Sequence, residues 1–411
     1  MKLHPFVFHL LKRGLLVLFA LQVGVIGVLT TIDWFRKRYR DQGGFPRTRQ
    51  SPTQIGEDEV QIYTYGEDLY AAMLDAIRNA QQEVLLETFI WKGDRVGRQF
   101  KHELLHATQR GVQVYVIFDT FANLVVPRNF KQFPPPLHVL KYRIFPPPWR
   151  LLDPRSYGRD HRKILVVDGK TAFVGGYNIG APYATQWRDT HVRLRGPRVW
   201  DFENAFIDFW NMHCEGRLPR LAETGTKVWE PRIKVHRNIP RMLVFPIRAM
   251  YLEAIDRAQH HIYMTQAYFI PDKAILRGLL SAAERGVDVR ILLPQTSNHI
   301  VADWLARGFY STLLAGGVKL LLYQNAMVHA KTATIDGVWS TIGTANIDRL
   351  SLAGNYEINV EFYDESLAEH MEHIFDNDST NAVELTLEKW QTRPLIVKFS
   401  ETVLFPLRPL L

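Results

Sequence analysis

A histidine, a lysine and an aspartate recur at fixed spacing in this chain. HRKILVVD sets His161, Lys163 and Asp168 in the pattern His-x-Lys-x-x-x-x-Asp, and HAKTATID repeats it 168 residues later with His329, Lys331 and Asp336. The copies agree beyond the motif: Asn178 and Asn346 each follow their histidine by 17 residues, and Asp189 and Glu357 follow by 28. One copy supplies one imidazole and one ammonium, enough to hold a phosphate but short of a nucleophile plus a separate proton donor. Two copies brought together supply both. One neutral imidazole attacks phosphorus and the other, protonated, delivers a proton to the departing alkoxide, while two lysines and two asparagine amides neutralise the non-bridging oxygens. The chemistry that fits is phosphodiester exchange through a phosphohistidine, the second histidine then serving as base toward an incoming alcohol.

The elements that must position these groups also repeat. AIRNAQQEVLLETFIW, residues 76–91, matches AIDRAQHHIYMTQAYF, residues 254–269, and ATQRGVQVYVIFD, 107–119, matches AAERGVDVRILLP, 282–294. A period this long predicts two folded halves rather than a solenoid. The first half reads as a helix over 69–80, a strand over 83–90, a helix over 97–109 and a strand over 112–118, with motif strands at 163–167 and 171–174. On such a strand His161 and Lys163 share one face, and Ile164 and Val166 alternate against Leu165 and Val167, as in a strand buried on both sides. Alternating helices and strands imply layered α/β domains, and two copies imply pseudo-two-fold symmetry. The boundaries read as a membrane anchor and basic flank over 1–42, a first domain over 57–232, a second over 233–393 and an apolar tail over 394–411. A helical insert is expected near 299–315.

Charge is unevenly placed along the 411 residues, whose formal net charge is +8. The first fifty residues hold nine Lys and Arg against two acids, and residues 141–198 hold twelve against four. Positive charge around the first motif favours an anionic surface or a phosphate-bearing substrate; charge alone would also attract nucleic acid. Cys214 is the single cysteine, which excludes an intrachain disulfide and argues against a thiolate metal cluster.

GLLVLFALQVGVIGVLTTI, residues 14–32, has no charge and reads as a transmembrane helix. A cleaved signal peptide is the alternative, but the run is long for one and no small-x-small site follows. Lys2, Lys12 and Arg13 precede the span while Arg36, Lys37, Arg38 and Arg40 follow it, a bias toward a cytoplasmic C-terminal side in the cell inner membrane. The tail PLIVKFSETVLFPLRPLL either lies in the membrane interface or packs on the protein. Proline triplets at 134–136 and 146–148, flanked by Trp149, Leu151 and Leu152, form either a lipid-facing rim or an ordinary rigid loop. His191, Arg193 and Arg195 read equally as a solvated basic strand or a headgroup site. Glu87 and Gln266 are read as matched positions at the edge of the core, and Trp91 and Tyr268 as packing residues.

HRKILVVD…GGYN and HAKTATID…GTAN resemble the paired motifs of the phospholipase D superfamily, over roughly residues 57–375. The resemblance implies tandem α/β/α sandwich domains. It implies His161 as nucleophile, His329 as general acid and base, and Lys163, Lys331, Asn178 and Asn346 as phosphate ligands. It implies Asp189 and Glu357 as the acids that orient the histidines, and Asp168 and Asp336 as structural aspartates. Gly176 stands where the second half has Thr344, whose hydroxyl adds a phosphate-binding group to one half only. One N-terminal span, ETFIW and WRDTHVRLRGP are similar to bacterial cardiolipin synthases. That likeness implies transfer of a phosphatidyl group between two phosphatidylglycerol molecules, with no metal or other cofactor. The implied partners are anionic phospholipid (phosphatidylglycerol, cardiolipin) and the membrane, without nucleic acid. A phospholipase D releasing phosphatidic acid and a membrane-bound nuclease are alternatives. An inactive lipid-binding scaffold is a third, disfavoured because both halves retain every catalytic group.

Overall fold

The computed structural model describes residues 5–39, 43–216, 218–223, 225 and 231–410. Lys2 and Arg40 of the expected basic flanks, and Leu411 of the tail, lie outside the described residues. The strands in chain order are β1 (Thr53–Ile55), β2 (Asp58–Tyr63), β3 (Glu83–Thr88), β4 (Gln113–Asp119), β5 (His138–Tyr142), β6 (Ile164–Val167), β7 (Thr171–Gly175), β8 (Trp187–Arg188) and β9 (His191–Arg195) in the first half. The second half holds β10 (Ile233–Asn238), β11 (His261–Gln266), β12 (Asp288–Pro294), β13 (Lys319–Tyr323), β14 (Met327–Val328), β15 (Lys331–Ile335), β16 (Trp339–Gly343), β17 (Glu357–Tyr363) and β18 (Ala382–Leu385).

One sheet runs β1-β2-β9-β7-β6-β3-β4-β5 and the other β10-β17-β16-β15-β11-β12-β13-β18. From β2 to β5 the first order is reproduced strand for strand from β10 to β13 in the second. The extra edge strands, β1 and β18, sit at opposite ends of that shared order. In each half the first of two parallel pairs is joined by a helix, Arg95–Gln109 between β3 and β4 and Lys273–Glu284 between β11 and β12. Both helices begin on an aspartate cap: Asp94 accepts from the Gly97 amide, and Asp272 from those of Ala274 and Ile275.

The alternation in β6 sorts its side chains between two cores. Leu165 and Val167 join Leu69, Leu104 and Val116 beneath the outer helices. Ile164 and Val166 join Phe202, Phe206 and Trp210 of the helix Trp200–His213, together with Ile342, Ile358 and Val360 from the other sheet. The inner core is therefore common to both halves. Burying each of those aromatics is worth on the order of 3 kcal/mol, so the halves cannot separate without exposing apolar surface on both.

Asp168 and Asp336 have the same local geometry, each at a φ of 53°. The Asp168 carboxylate accepts the successive amides of Gln81, Gln82 and Glu83; that of Asp336 accepts those of Gln259, His260 and His261. Each pins the turn after its motif strand to the start of a neighbouring strand.

The N-terminal helix Pro5–Tyr39 contains a stretch, Lys12–Arg36, long and apolar enough to cross a membrane, with a mean hydropathy of 2.4. Its polar residue Gln22 is buried and donates to the Val403 carbonyl at 3.1 Å, in the C-terminal helix Leu395–Leu404. Val403 and Leu404 pack inward, while Leu395, Ile396 and Phe399 are exposed. One face of the tail thus packs on the protein and the other presents apolar side chains outward. The helical insert of the second half is two short helices, Ile300–Arg307 and Tyr310–Ala315.

Two register expectations are corrected. The first motif strand begins at Ile164, so His161 and Lys163 precede it; in the second half Lys331 opens β15 and His329 lies just before it. Glu87 and Gln266 are offset by one place: Glu87 faces Ile164 across its sheet, whereas Gln266 faces Lys331, the counterpart of Lys163.

Replacing Asp168 or Asp336 with Ala leaves three amides without their acceptor, and each variant is expected to lose about 2–4 kcal/mol of stability. Denaturant unfolding checks this; an unchanged midpoint contradicts it.

Candidate active site

Each motif histidine is held by the opposite half of the chain. The His161 amide donates to the Tyr356 carbonyl at 3.0 Å, and its Nδ1 lies 3.0 Å from both carboxylate oxygens of the next residue, Glu357. In the mirror arrangement the His329 amide donates to the Arg188 carbonyl at 2.6 Å, and its Nδ1 lies 2.6 Å from Oδ2 of the next residue, Asp189. Backbone and ring are thus fixed by two consecutive residues of the partner half, so the ring cannot turn without breaking a carboxylate contact. With Nδ1 engaged, Nε2 is the nitrogen left for chemistry.

The supporting strands explain why the contacts cross. β14, which leads into His329, pairs in parallel with β8, which carries Arg188; an isolated bridge joins Asp160, just before His161, to Tyr356. Arg188 is itself fixed by a buried two-point pair with Asp378, at 2.9 and 2.6 Å. The spacing of 28 residues pairs each histidine with an acid of its own half in sequence, and the fold exchanges those acids.

Both motif lysines act electrostatically on both histidines. Lys163 Nζ donates to the His161 carbonyl at 2.6 Å, and Lys331 Nζ donates to the His329 carbonyl and lies 3.0 Å from His329 Nδ1. Asn178 and Asn346 are buried. Asn178 Oδ1 accepts the Ile90 amide at 3.0 Å, which leaves its NH2 group for an anion. Thr344 departs from expectation: its hydroxyl donates to Glu357 at 2.5 Å and contacts the Ile358 carbonyl, so it buttresses the acid instead of facing a phosphate. At Gly176 a β-carbon would meet Asp189 Oδ1 at 2.1 Å, so the first half has no room for the corresponding threonine.

The family described as cardiolipin synthase, PLD-like domain, matches residues 73–210 and 251–379. The chain belongs to the phospholipase D-like cardiolipin synthase family. It is an enzyme of the phosphatidyltransferase type. It is 32% identical to cardiolipin synthase 2 of Staphylococcus epidermidis over 86% of this chain and 75% of that one. It is 30% identical to the major cardiolipin synthase ClsA of Bacillus subtilis over 86% and 76%. The crystal structure of a phosphatidylserine synthase from Haemophilus influenzae Rd KW20 matches with a TM-score of 0.67 at 14% identity, over 87% of this chain and 93% of that one. At that identity the likeness speaks to the fold.

Within this phospholipase D-like site, aromatic neighbours escaped the sequence reading. Phe89 meets the His161 ring edge-on at 4.8 Å, and Trp187 and Tyr268 lie 5.1 and 6.3 Å from the His329 ring. Tyr268, read as a packing residue, also donates to Asn298 at 2.6 Å. Trp91 does pack, buried with its indole N–H on the Gly97 carbonyl. His191 is buried, while Arg193 and Arg195 flank Glu59, at 2.8 and 3.8 Å, so that strand is ion-paired within its sheet.

Crowded, buried cations weaken one another as bases. Burial, then Lys163 and Lys331, holds His161 well below the ordinary histidine range; burial, then Lys331 and Lys163, does the same to His329. Burial pushes Lys163 down to about 7 and Lys331 to about 8, and pushes Glu357 up to about 8. The site thus presents neutral imidazoles to a phosphate anion, whose charge favours the protonated forms.

A lysine with a depressed pKa carries its charge below that pKa and loses it above. Binding of an anionic phosphodiester is therefore expected to weaken as pH rises through about 7 to 8, with KM increasing about tenfold between pH 7 and 9. A KM that stays flat to pH 10 contradicts this.

Proposed function

We propose that this enzyme is a cardiolipin synthase that transfers a phosphatidyl group from one phosphatidylglycerol to another, releasing glycerol. The observation that carries the reading is the pair of crossed histidine–carboxylate contacts beside two buried lysines. His161 is the nucleophile: its side chain is 13% exposed against 6% for His329. His329 takes up a proton as the anionic phosphate enters; Nε2 of His161 then attacks phosphorus, the bond to the glycerol oxygen breaks, and His329 delivers that proton to the oxygen. Lys163 and Lys331, with the amides of Asn178 and Asn346, bind the phosphoryl oxygens, whose charge grows toward the transition state. The hydroxyl of the second phosphatidylglycerol then gives its proton to His329 as its oxygen attacks phosphorus, and the bond to His161 breaks. Asp189 and Glu357 fix the ring orientations, and Asp168 and Asp336 hold the motif turns.

The N-terminal helix anchors the protein in the cell inner membrane, with the site on the cytoplasmic side, where its substrates lie in the same bilayer. The tandem domains extend over 57–232 and 233–393 around one shared reaction centre.

With labelled phosphatidylglycerol in liposomes and chelator present, the purified protein is expected to give cardiolipin and an equal amount of glycerol. Phosphatidic acid alone would make it a hydrolase, and no lipid product would reject the lipid reading. Replacing His161 with Ala should abolish both product and covalent phosphatidyl-enzyme; substantial turnover in that variant contradicts its role. Replacing His329 should slow breakdown of the intermediate at least about a hundredfold, read as accumulation in quenched samples, and normal breakdown would refute its assignment.

A further inference from the structure

The proline-rich insert and the end of the helix Trp200–His213 line an open cavity of about 390 Å³ that reaches Tyr356, the residue before Glu357, within the size range of small-ligand sites. Its wall carries Lys141, Arg143, Arg150, Arg155 and Arg241 against one carboxylate, Glu215. Arg143 pairs with Glu215 and Arg155 with Asp153. Among the described residues, Arg150 and Arg241 have no carboxylate partner; Arg241 donates to the Met212 carbonyl at 2.9 Å. His213 in the same wall has its Nε2 buried without a partner. Burial, with Arg241, Arg162 and Arg150 nearby, lowers that imidazole to about 3.

Two further features say what would enter. Tyr356 forms part of the cavity wall, and its carbonyl is the one that holds the His161 amide, one residue before Glu357. The rim is apolar and uncovered: Phe145, Trp149 and Leu152 are 70, 81 and 98% exposed. The turn Pro154–Ser156 packs against the segment Pro240–Met242, which leads to exposed Leu243. Unpaired arginines within an exposed apolar rim match a molecule with a phosphate at one end and acyl chains at the other.

The proposed reaction supplies a reason for a second anion site. Both substrates are anionic, and the phosphate being transferred occupies the lysines. The attacking phospholipid brings its own phosphate, separated from the reacting hydroxyl by a three-carbon glycerol, and that charge needs a separate partner close by. We infer that this cavity holds the phosphate of the acceptor phospholipid, on Arg150 and Arg241, with its acyl chains leaving past Trp149 and Leu152. The inference rests on the transferase reading above. Water needs no such site, so the cavity sets the ratio of transfer to hydrolysis.

The test compares wild-type protein with an Arg150→Gln, Arg241→Gln double variant in phosphatidylglycerol liposomes, reading cardiolipin and phosphatidic acid together. The ratio of cardiolipin to phosphatidic acid is expected to fall about tenfold or more in the variant, with the KM for phosphatidylglycerol in cardiolipin formation rising. Arg150 makes no side-chain hydrogen bond among the described residues, so Arg150→Gln alone is read if the double variant fails to fold, and a several-fold fall is expected. Wild-type protein that makes no cardiolipin would overturn the transferase reading. Wild-type protein that makes it, beside variants with an unchanged ratio and KM, would overturn the acceptor site alone.

Discussion

The contact between a motif histidine and a carboxylate of the opposite half is the constraint on which the rest of this structure depends. An imidazole is useful as nucleophile or acid only if its tautomer and orientation are fixed, and a carboxylate on Nδ1 fixes both. Here that carboxylate comes from 196 residues away for His161 and 140 for His329. Neither half can complete its own site. The duplication therefore yields one reaction centre, and the shared inner core, the β8–β14 pairing and the buried Arg188–Asp378 pair all hold the halves in the register that centre needs.

Much of this was legible in the sequence because a repeat carries its own alignment. The equal offsets of Asn178 and Asn346, and of Asp189 and Glu357, mark them as equivalent without any structure. The alternation in ILVV correctly signals a strand buried on both faces, since a period of two sorts side chains whatever covers them. The exchange of acids was not legible. Spacing along the chain gives sequence neighbours, whereas the crossing arises from how two sheets pack, a tertiary fact with no local signature. The aromatic neighbours Phe89, Trp187 and Tyr268 were missed for the same reason, because an aromatic at the end of a strand reads as core.

Thr344 shows where analogy between repeats misleads. Its hydroxyl aligns with nothing at Gly176, and the reason is visible in the packing: Asp189 occupies the space that a side chain there would need, while Thr344 donates to the longer Glu357. The two acids reach their histidines along different paths, and the small residue and the hydroxyl are adjustments to that difference. The tail shows a related ambiguity, since both sequence readings describe one face each of the same helix. Gln22, the strongly polar residue of the apolar run, is the one that binds it.

The crossed contact is tested most directly by selective labelling of histidine imidazole nitrogens in Glu357→Gln and Asp189→Asn variants. Glu357→Gln is predicted to shift the Nδ1 resonance of His161 and leave that of His329 near its wild-type position, and Asp189→Asn to do the reverse. Shifts that follow the 28-residue spacing instead, with Asp189→Asn acting on His161 and Glu357→Gln on His329, would contradict the exchange of acids between the halves.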